Sequence, residues 1–196
     1  MQELKVKLVG VAPIMFHNER LANPSDPFKR EIGKLTSQKK KTDEIYEQIK
    51  KLEWRAGFYE NAKGRVVVPS DNVLGCVQNG SRKLKRGMDF NASVLCSQPS
   101  FELEYEGPKD WEGLYADGRF CDYRTVVVNR NRTMRARPIF HDWALTIALS
   151  YDEEIFNEAD LKQCIEIAGE RIGLCERRPR CGRFIPEFIV DKKKAA

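Results

Sequence analysis

The chain has 196 residues, 41% of them hydrophobic and 32% charged, so it is long enough to bury a core beneath a highly charged surface. No apolar run reaches the length of a transmembrane helix, and the N-terminus does not resemble a signal peptide; we therefore expect a cytoplasmic protein with no membrane partner. The net charge of +5 favours a polyanionic partner.

The first third of the chain predicts a strand, a loop and a helix. Residues 3–11 begin with alternating apolar and charged side chains, the pattern of a half-buried strand. The prolines, glycine and lysine run within 17–42 predict a long mobile loop. A helix is predicted from its N-cap, Thr42, to Gly57, because apolar residues recur at helical spacing between them.

The middle of the chain predicts two strands around another helix. Residues 64–68 are rich in β-branched side chains and form the first strand. Ser70 is placed to cap a helix that ends near residues 79–80. A strand broken by a proline is predicted within 92–105, followed by a loop over 107–119 that is rich in Gly, Asp and Trp.

The last third predicts a hairpin, a strand, a helix and a final strand. Residues 123–128 and 134–139 form the arms of the hairpin, and 143–149 the next strand. Asn157 is a suitable N-cap for a helix whose apolar residues recur at helical spacing. Residues 181–190 predict the last strand.

This order of elements predicts an α+β fold, a modified RRM-like or ferredoxin-like domain with a βαββαβ core, insertions and a β-hairpin. We expect a single domain over 1–190, with insertions at 17–64 and 106–122 and a disordered tail at 191–196. Such a sheet is covered by helices on one side, and RNA-binding domains of this class commonly use the other side.

Three basic segments indicate where a polyanion binds. They comprise Arg82, Lys83, Lys85 and Arg86; then Arg124, Arg130, Arg132, Arg135 and Arg137; and finally Arg171, Arg177, Arg178, Arg180 and Arg183. Arginine dominates the last two, and its planar guanidinium binds phosphate bidentately and stacks on bases. Few acidic residues lie within these segments, so they favour a polyanion site over a surface of ion pairs.

The six cysteines are scattered and form no C-x-x-C pair, which predicts free thiols. Cys175 and Cys181, with His141 or Cys121, do not match a usual zinc-ligand spacing. We therefore expect no metal and no other cofactor.

Two sequence segments resemble motifs of the RAMP superfamily of CRISPR proteins. Residues 172–184, between a predicted helix and the last strand, look like its glycine-rich loop. Residues 66–77 are similar to the strand, Pro-Ser and Leu-x-Gly pattern of the backbone subunits of CRISPR effector complexes; the matching positions are Pro69, Ser70, Leu74 and Gly75. Asp71 and Asn72 depart from the small residues of the family, and Arg82 follows farther along than usual. Residues 6–13 resemble the first strand of the family.

The resemblance implies a non-catalytic subunit whose copies stack along a guide RNA. Ser70 and the basic residues of the three segments would then hold the RNA backbone, Arg171 being the only one not assigned to the site. Implied partners are guide RNA, target nucleic acid, copies of the same chain and other effector subunits. A β-hairpin "thumb" that wedges the guide would correspond to residues 124–137 or to the insertion at 17–64.

The resemblance also leaves two alternatives open. Some relatives are metal-independent endoribonucleases, for which His17 is the candidate general base and Arg20 or Lys29 the candidate cation. Asp26 resembles the loop aspartate by which some backbone subunits cleave target RNA, although an Asx-type turn beside Pro27 is the favoured explanation. The second alternative is a viral mimic of a backbone subunit that blocks CRISPR complexes.

Overall fold

The structure, a computed structural model, describes residues 1–96 and 98–189; the predicted tail and the end of the predicted last strand lie outside this part. Its strands are β1 (Gln2–Gly10), β2 (Ile14–Met15), β3 (Val67–Pro69), β4 (Val94–Leu95), β5 (Ser100–Tyr105), β6 (Cys121–Val128), β7 (Asn131–Phe140), β8 (Trp143–Tyr151) and β9 (Phe184–Phe188). Its α-helices are α1 (Pro27–Thr36), α2 (Asp43–Ala56), α3 (Ser70–Lys83), α4 (Gly87–Ser93), α5 (Trp111–Asp117) and α6 (Glu158–Ile167). The fold is α+β, as predicted.

The chain divides into two compact units, each built from segments that are separate in sequence. Unit 1 comprises residues 1–14, 66–106 and 141–196, and unit 2 comprises 15–65 and 107–140. Unit 2 therefore contains nearly all of both predicted insertions together with the hairpin. Whether the whole chain is one domain stays a prediction.

Unit 1 is an antiparallel sheet with helices. The order of its strands is β3–β5–β8–β1–β9, and β4 also pairs with β8. In β1 the alternation predicted from the sequence is realised, because Leu4, Val6 and Leu8 are buried while Glu3 and Lys5 are exposed. These buried side chains and the apolar faces of α3 and α6 form the core of the unit.

Unit 2 is built around a cluster of aromatic side chains. Trp54 of α2 is fully buried and donates a hydrogen bond from its indole Nε1 to the carbonyl of Phe120, 2.8 Å away. Phe140 lies edge-on to both Phe16 and Phe58, with ring centroids 5.8 and 6.2 Å apart. Aromatic edge-to-face packing of this kind anchors α2 and the hairpin β6–β7 to the same core.

Two of the predicted loops are wrong, because both contain helices. Within 17–42, Asp26 caps α1 by accepting a hydrogen bond from the Phe28 amide, and Pro27 occupies the first helical position. Within 107–119, Asp110 caps α5, and Gly118 ends it with a left-handed φ of 74°. The predicted helix after Thr42, the hairpin and the helix after Asn157 are confirmed.

Candidate nucleic-acid interface

Four basic side chains of unit 1 come together where α3 ends beside the loop that leads to β9. Arg82 and Lys83 of α3 line a cavity of about 400 Å³ together with Arg171 and Arg178, and Asn79, Ile172 and Pro179 complete its wall. We call the four basic residues the basic surface. No carboxylate lines this cavity; Glu170, outside the lining, lies 3.5 Å from Nε of Arg171, so positive charge remains in excess at the four basic side chains.

Helix α3 continues farther than the sequence predicts, and this extension positions the basic surface. The predicted end near 79–80 is wrong, because the helix runs to Lys83; the side-chain amide of Asn79 donates to the Gly75 carbonyl at 2.7 Å within it. Arg82 and Lys83 therefore lie on the last helical turn. Ser70 is not the N-cap: Pro69 holds that position, and the Ser70 amide donates to the Pro99 carbonyl at 3.0 Å.

The loop that supplies Arg178 is held in place at its base. Gly173 and Gly182 adopt left-handed φ values of 83° and 74°, and the Leu174 amide donates to the Gly182 carbonyl at 2.9 Å. The Cys76 thiol of α3 donates to the Gly173 carbonyl at 3.1 Å. Beyond this fixed base the side chains of Arg177, Arg178, Arg180 and Arg183 are exposed.

The first basic segment divides into exposed and internally bonded residues. Lys85 is exposed, as are Arg82 and Lys83. Arg86 instead forms ion pairs with Asp89, at 3.0 Å, and with Asp160, and lies 4.6 Å above the ring of Phe156. Its expected role as an RNA ligand is not supported, because its guanidinium joins α4 to α6.

The arginines of the hairpin divide in the same way. Arg124 pairs with Asp122, Arg135 bonds Glu53 at 2.6 Å, and Arg137 is half-buried. At the tip, Arg130 and Arg132 are exposed and form no ion pair within the part of the chain that the structure describes. Arg130 and Arg132 therefore remain available to a ligand, whereas Arg124 and Arg135 are held by carboxylates.

The open face of the unit 1 sheet is not basic. Its acidic residues outnumber its basic ones: they are Glu3, Glu102, Glu104 and Glu187, compared with Lys5 and Lys7. Lys7 is already paired with Glu104 at 2.6 Å, which raises the pKa of Lys7 and lowers that of Glu104. The expectation that RNA uses this face is therefore not supported, because acidic side chains repel phosphate.

The two candidate catalytic residues have different surroundings in unit 2. His17 is exposed and lines a cavity of about 230 Å³ together with Lys29, one of its two candidate cations. Arg20, the other, lies 5.6 Å from the ring of Phe28. Asp26 caps α1, as the Asx-type explanation predicts.

The described cysteines are shielded thiols. Burial raises the pKa of Cys76 and of Cys175 to about 12, and that of Cys121 and of Cys164 to about 11. Across residues 1–96 and 98–189, no three His, Cys, Asp or Glu side chains come together in a way that could hold a metal ion. None of the helices in these ranges combines the length and hydrophobicity needed to cross a bilayer.

No family model matches the sequence, and no curated protein matches it. The signals that the sequence did not reveal are the position of Asn79 beside the basic surface and the bond between Glu53 and Arg135. The bond between Glu53 and Arg135 joins segments that are distant in sequence, whereas Asn79 accepts a hydrogen bond from Arg82 of the same helix at 3.2 Å.

Proposed function

We propose that the chain binds RNA through the basic surface of unit 1. The observation that carries the proposal is that Arg82 and Lys83 line one cavity with Arg171 and Arg178 without a carboxylate among them. Arginine guanidinium groups bind phosphate oxygens with good geometry, and the phosphate backbone dominates the affinity of nucleic-acid complexes.

We further propose that unit 1 is a modified RRM-like or ferredoxin-like domain. Its main elements follow the chain order β1, α3, β5, β8, α6 and β9, a βαββαβ arrangement. In the sheet the corresponding strands are ordered β5–β8–β1–β9, all antiparallel. Both the chain order and the sheet order support this assignment.

The proposed role is that of a guide-RNA-binding backbone subunit of a CRISPR effector complex. In this role the chain would bind copies of itself and other effector subunits. The two segments that resemble the RAMP superfamily contact each other: Asn72 donates to the Cys175 sulfur at 3.7 Å, and Cys76 bonds Gly173. The exposed hairpin tip, with Arg130 and Arg132, supports the hairpin as the thumb.

The decisive experiment measures the affinity of a fluorescent single-stranded RNA as a function of salt. Each phosphate contact contributes about −0.7 to the slope of log affinity against log salt for single strands. Combined Ala substitution of Arg82, Lys83, Arg171 and Arg178 should weaken binding at least about tenfold and flatten the slope. The matched control replaces Lys34, Lys39, Lys40 and Lys41, which removes the same charge from unit 2. Equal losses in both variants would refute the site.

Assembly and the alternatives are tested on the purified chain. RNA that co-purifies with arc-like assemblies supports the backbone subunit, whereas a nucleic-acid-free monomer opposes it. Binding to CRISPR effector subunits but not to RNA would instead support the viral mimic.

The endoribonuclease is favoured by one observation, the cavity shared by His17 and Lys29. It requires that His17→Ala abolish cleavage of a hairpin RNA.

A further inference from the structure

The cavity beside His17 in unit 2 is lined by both charged and apolar side chains. It encloses about 230 Å³, and its charged or titratable lining residues are His17, Lys29, Glu53 and Arg135. Leu21, Ala22 and Ile32 supply an apolar wall. The cavity thus offers several nitrogen donors beside a surface suited to carbon atoms.

The single carboxylate of this cavity is already neutralised from within the protein. Glu53 is 5% exposed, and its Oε1 accepts a hydrogen bond from Nη1 of Arg135 at 2.6 Å. Its Oε2 accepts the amide of Ala136 at 3.2 Å. Burial raises the pKa of Glu53, and the positive charges of Arg135 and Arg137 oppose that rise.

The donors that remain point to an anionic ligand. Within the described residues only Nη1 of Arg135 is engaged, which leaves its Nε and Nη2 hydrogens available. Lys29 is exposed and forms no ion pair in the same part of the chain. After Glu53 and Arg135 cancel, the charge of Lys29 leaves the cavity positive.

We propose that this cavity binds a phosphate group, carried either by a free nucleotide or by the end of an RNA strand. The guanidinium of Arg135 and the ammonium of Lys29 match phosphate oxygens, and the carbon atoms of the attached sugar pack against the apolar wall. Occupancy requires no cleavage. The site is independent of the basic surface, because all its residues belong to unit 2.

The test measures binding of inorganic phosphate, AMP and a 5′-phosphorylated oligonucleotide by calorimetry. We expect Lys29→Ala to weaken AMP binding at least about fivefold, as removal of a donor to a charged group does. Lys34→Ala is the matched control, because it removes an exposed lysine from the same helix without lining the cavity.

The outcomes separate this proposal from the RNA surface. A chain with Ala at Arg82, Lys83, Arg171 and Arg178 should keep its AMP affinity. Tighter binding of AMP than of inorganic phosphate identifies a nucleotide ligand, and a preference for the 5′-phosphorylated over the 5′-hydroxyl strand identifies a strand end. Absence of binding to all three probes, or equal losses in Lys29→Ala and Lys34→Ala, would overturn the proposal.

Discussion

Gly80 of α3 faces the backbone carbonyl of Cys164 in α6, with no room for a side chain between them. A Cβ at Gly80 would also lie 3.2 Å from that of Ala168. Helices α3 and α6 therefore touch through a glycine, and the same contact aligns the last turn of α3, which carries Arg82 and Lys83.

We expect Gly80→Ala to lower the free energy of unfolding by at least about 2 kcal/mol, because the new methyl group meets backbone that cannot move aside. Gly75→Ala on the same helix is the control: nothing lies within 4 Å of its Cβ, and alanine gains up to about 1 kcal/mol in helix propensity. Urea denaturation measures both. Equal stability of the two variants would contradict the close contact.

Arg86→Ala and Arg82→Ala should have opposite effects: the first should lower stability and the second should weaken RNA binding. Arg86→Ala leaves Asp89 and Asp160 without their shared partner, so we expect a loss of roughly 1–3 kcal/mol in stability. Arg82→Ala should change stability by less than about 0.5 kcal/mol but weaken RNA binding. Denaturation and RNA titration of both variants check this; an RNA defect confined to Arg86→Ala would show that the assignment is reversed.

Asp26 should tolerate the loss of its charge but not of its capping oxygen. Asp26→Ala is expected to cost about 1 kcal/mol, whereas Asp26→Asn should be nearly neutral because asparagine caps helices equally well. Thermal unfolding distinguishes them. If RNA cleavage is detected and Asp26→Asn abolishes it while leaving stability intact, Asp26 has a chemical role beyond the cap.

Glu53→Gln should alter how stability depends on pH. The pKa of Glu53 is higher in the folded chain than in the unfolded chain, so the folded chain holds this proton more tightly. As pH rises through the unfolded carboxyl range, the unfolded chain ionises first, and the wild type therefore loses stability. Glutamine does not ionise, so the variant lacks this pH-dependent loss of stability. The stability of Glu53→Gln relative to wild type should therefore increase between about pH 4 and pH 7. A constant difference across this range would contradict the raised pKa.

The thiols of Cys121 and Cys164 should react slowly in the folded chain. A pKa of about 11 in place of the ordinary 9.0 lowers the thiolate fraction at pH 8 by roughly a hundredfold, and the thiolate is the nucleophile. Modification with a chromogenic disulfide, compared in native and urea-unfolded protein, measures this. Native rates equal to unfolded rates would show that burial does not protect these thiols.

Periodicity predicted most of the strands and the two longest helices, because in β1 and α3 the apolar spacing coincides with the buried face. Periodicity does not predict α1 and α5, because prolines and glycines in these segments favour loops. Capping chemistry was the better indicator there: Asp26 before Pro27, and Asp110 followed by Gly118, mark the ends of helices.

The sequence also identifies the basic segments, but it does not show which of their arginines are exposed and which form internal ion pairs. Arg82 lies in the last turn of α3 and Arg86 just after this helix, yet Arg82 is exposed and Arg86 bonds Asp160, far along the chain. The same holds for Arg132 and Arg135. Such pairings depend on tertiary contacts, which local patterns do not encode.

The central position of β1 has a consequence for synthesis. Val6 pairs with Ile147 on one side and with Phe188 on the other, so the ribosome must translate most of the chain before either neighbour of β1 exists. Until then the first strand emerges with its hydrogen-bonding groups unpaired. Contacts so distant in sequence slow folding, and we expect unit 1 to assemble only after translation of β9.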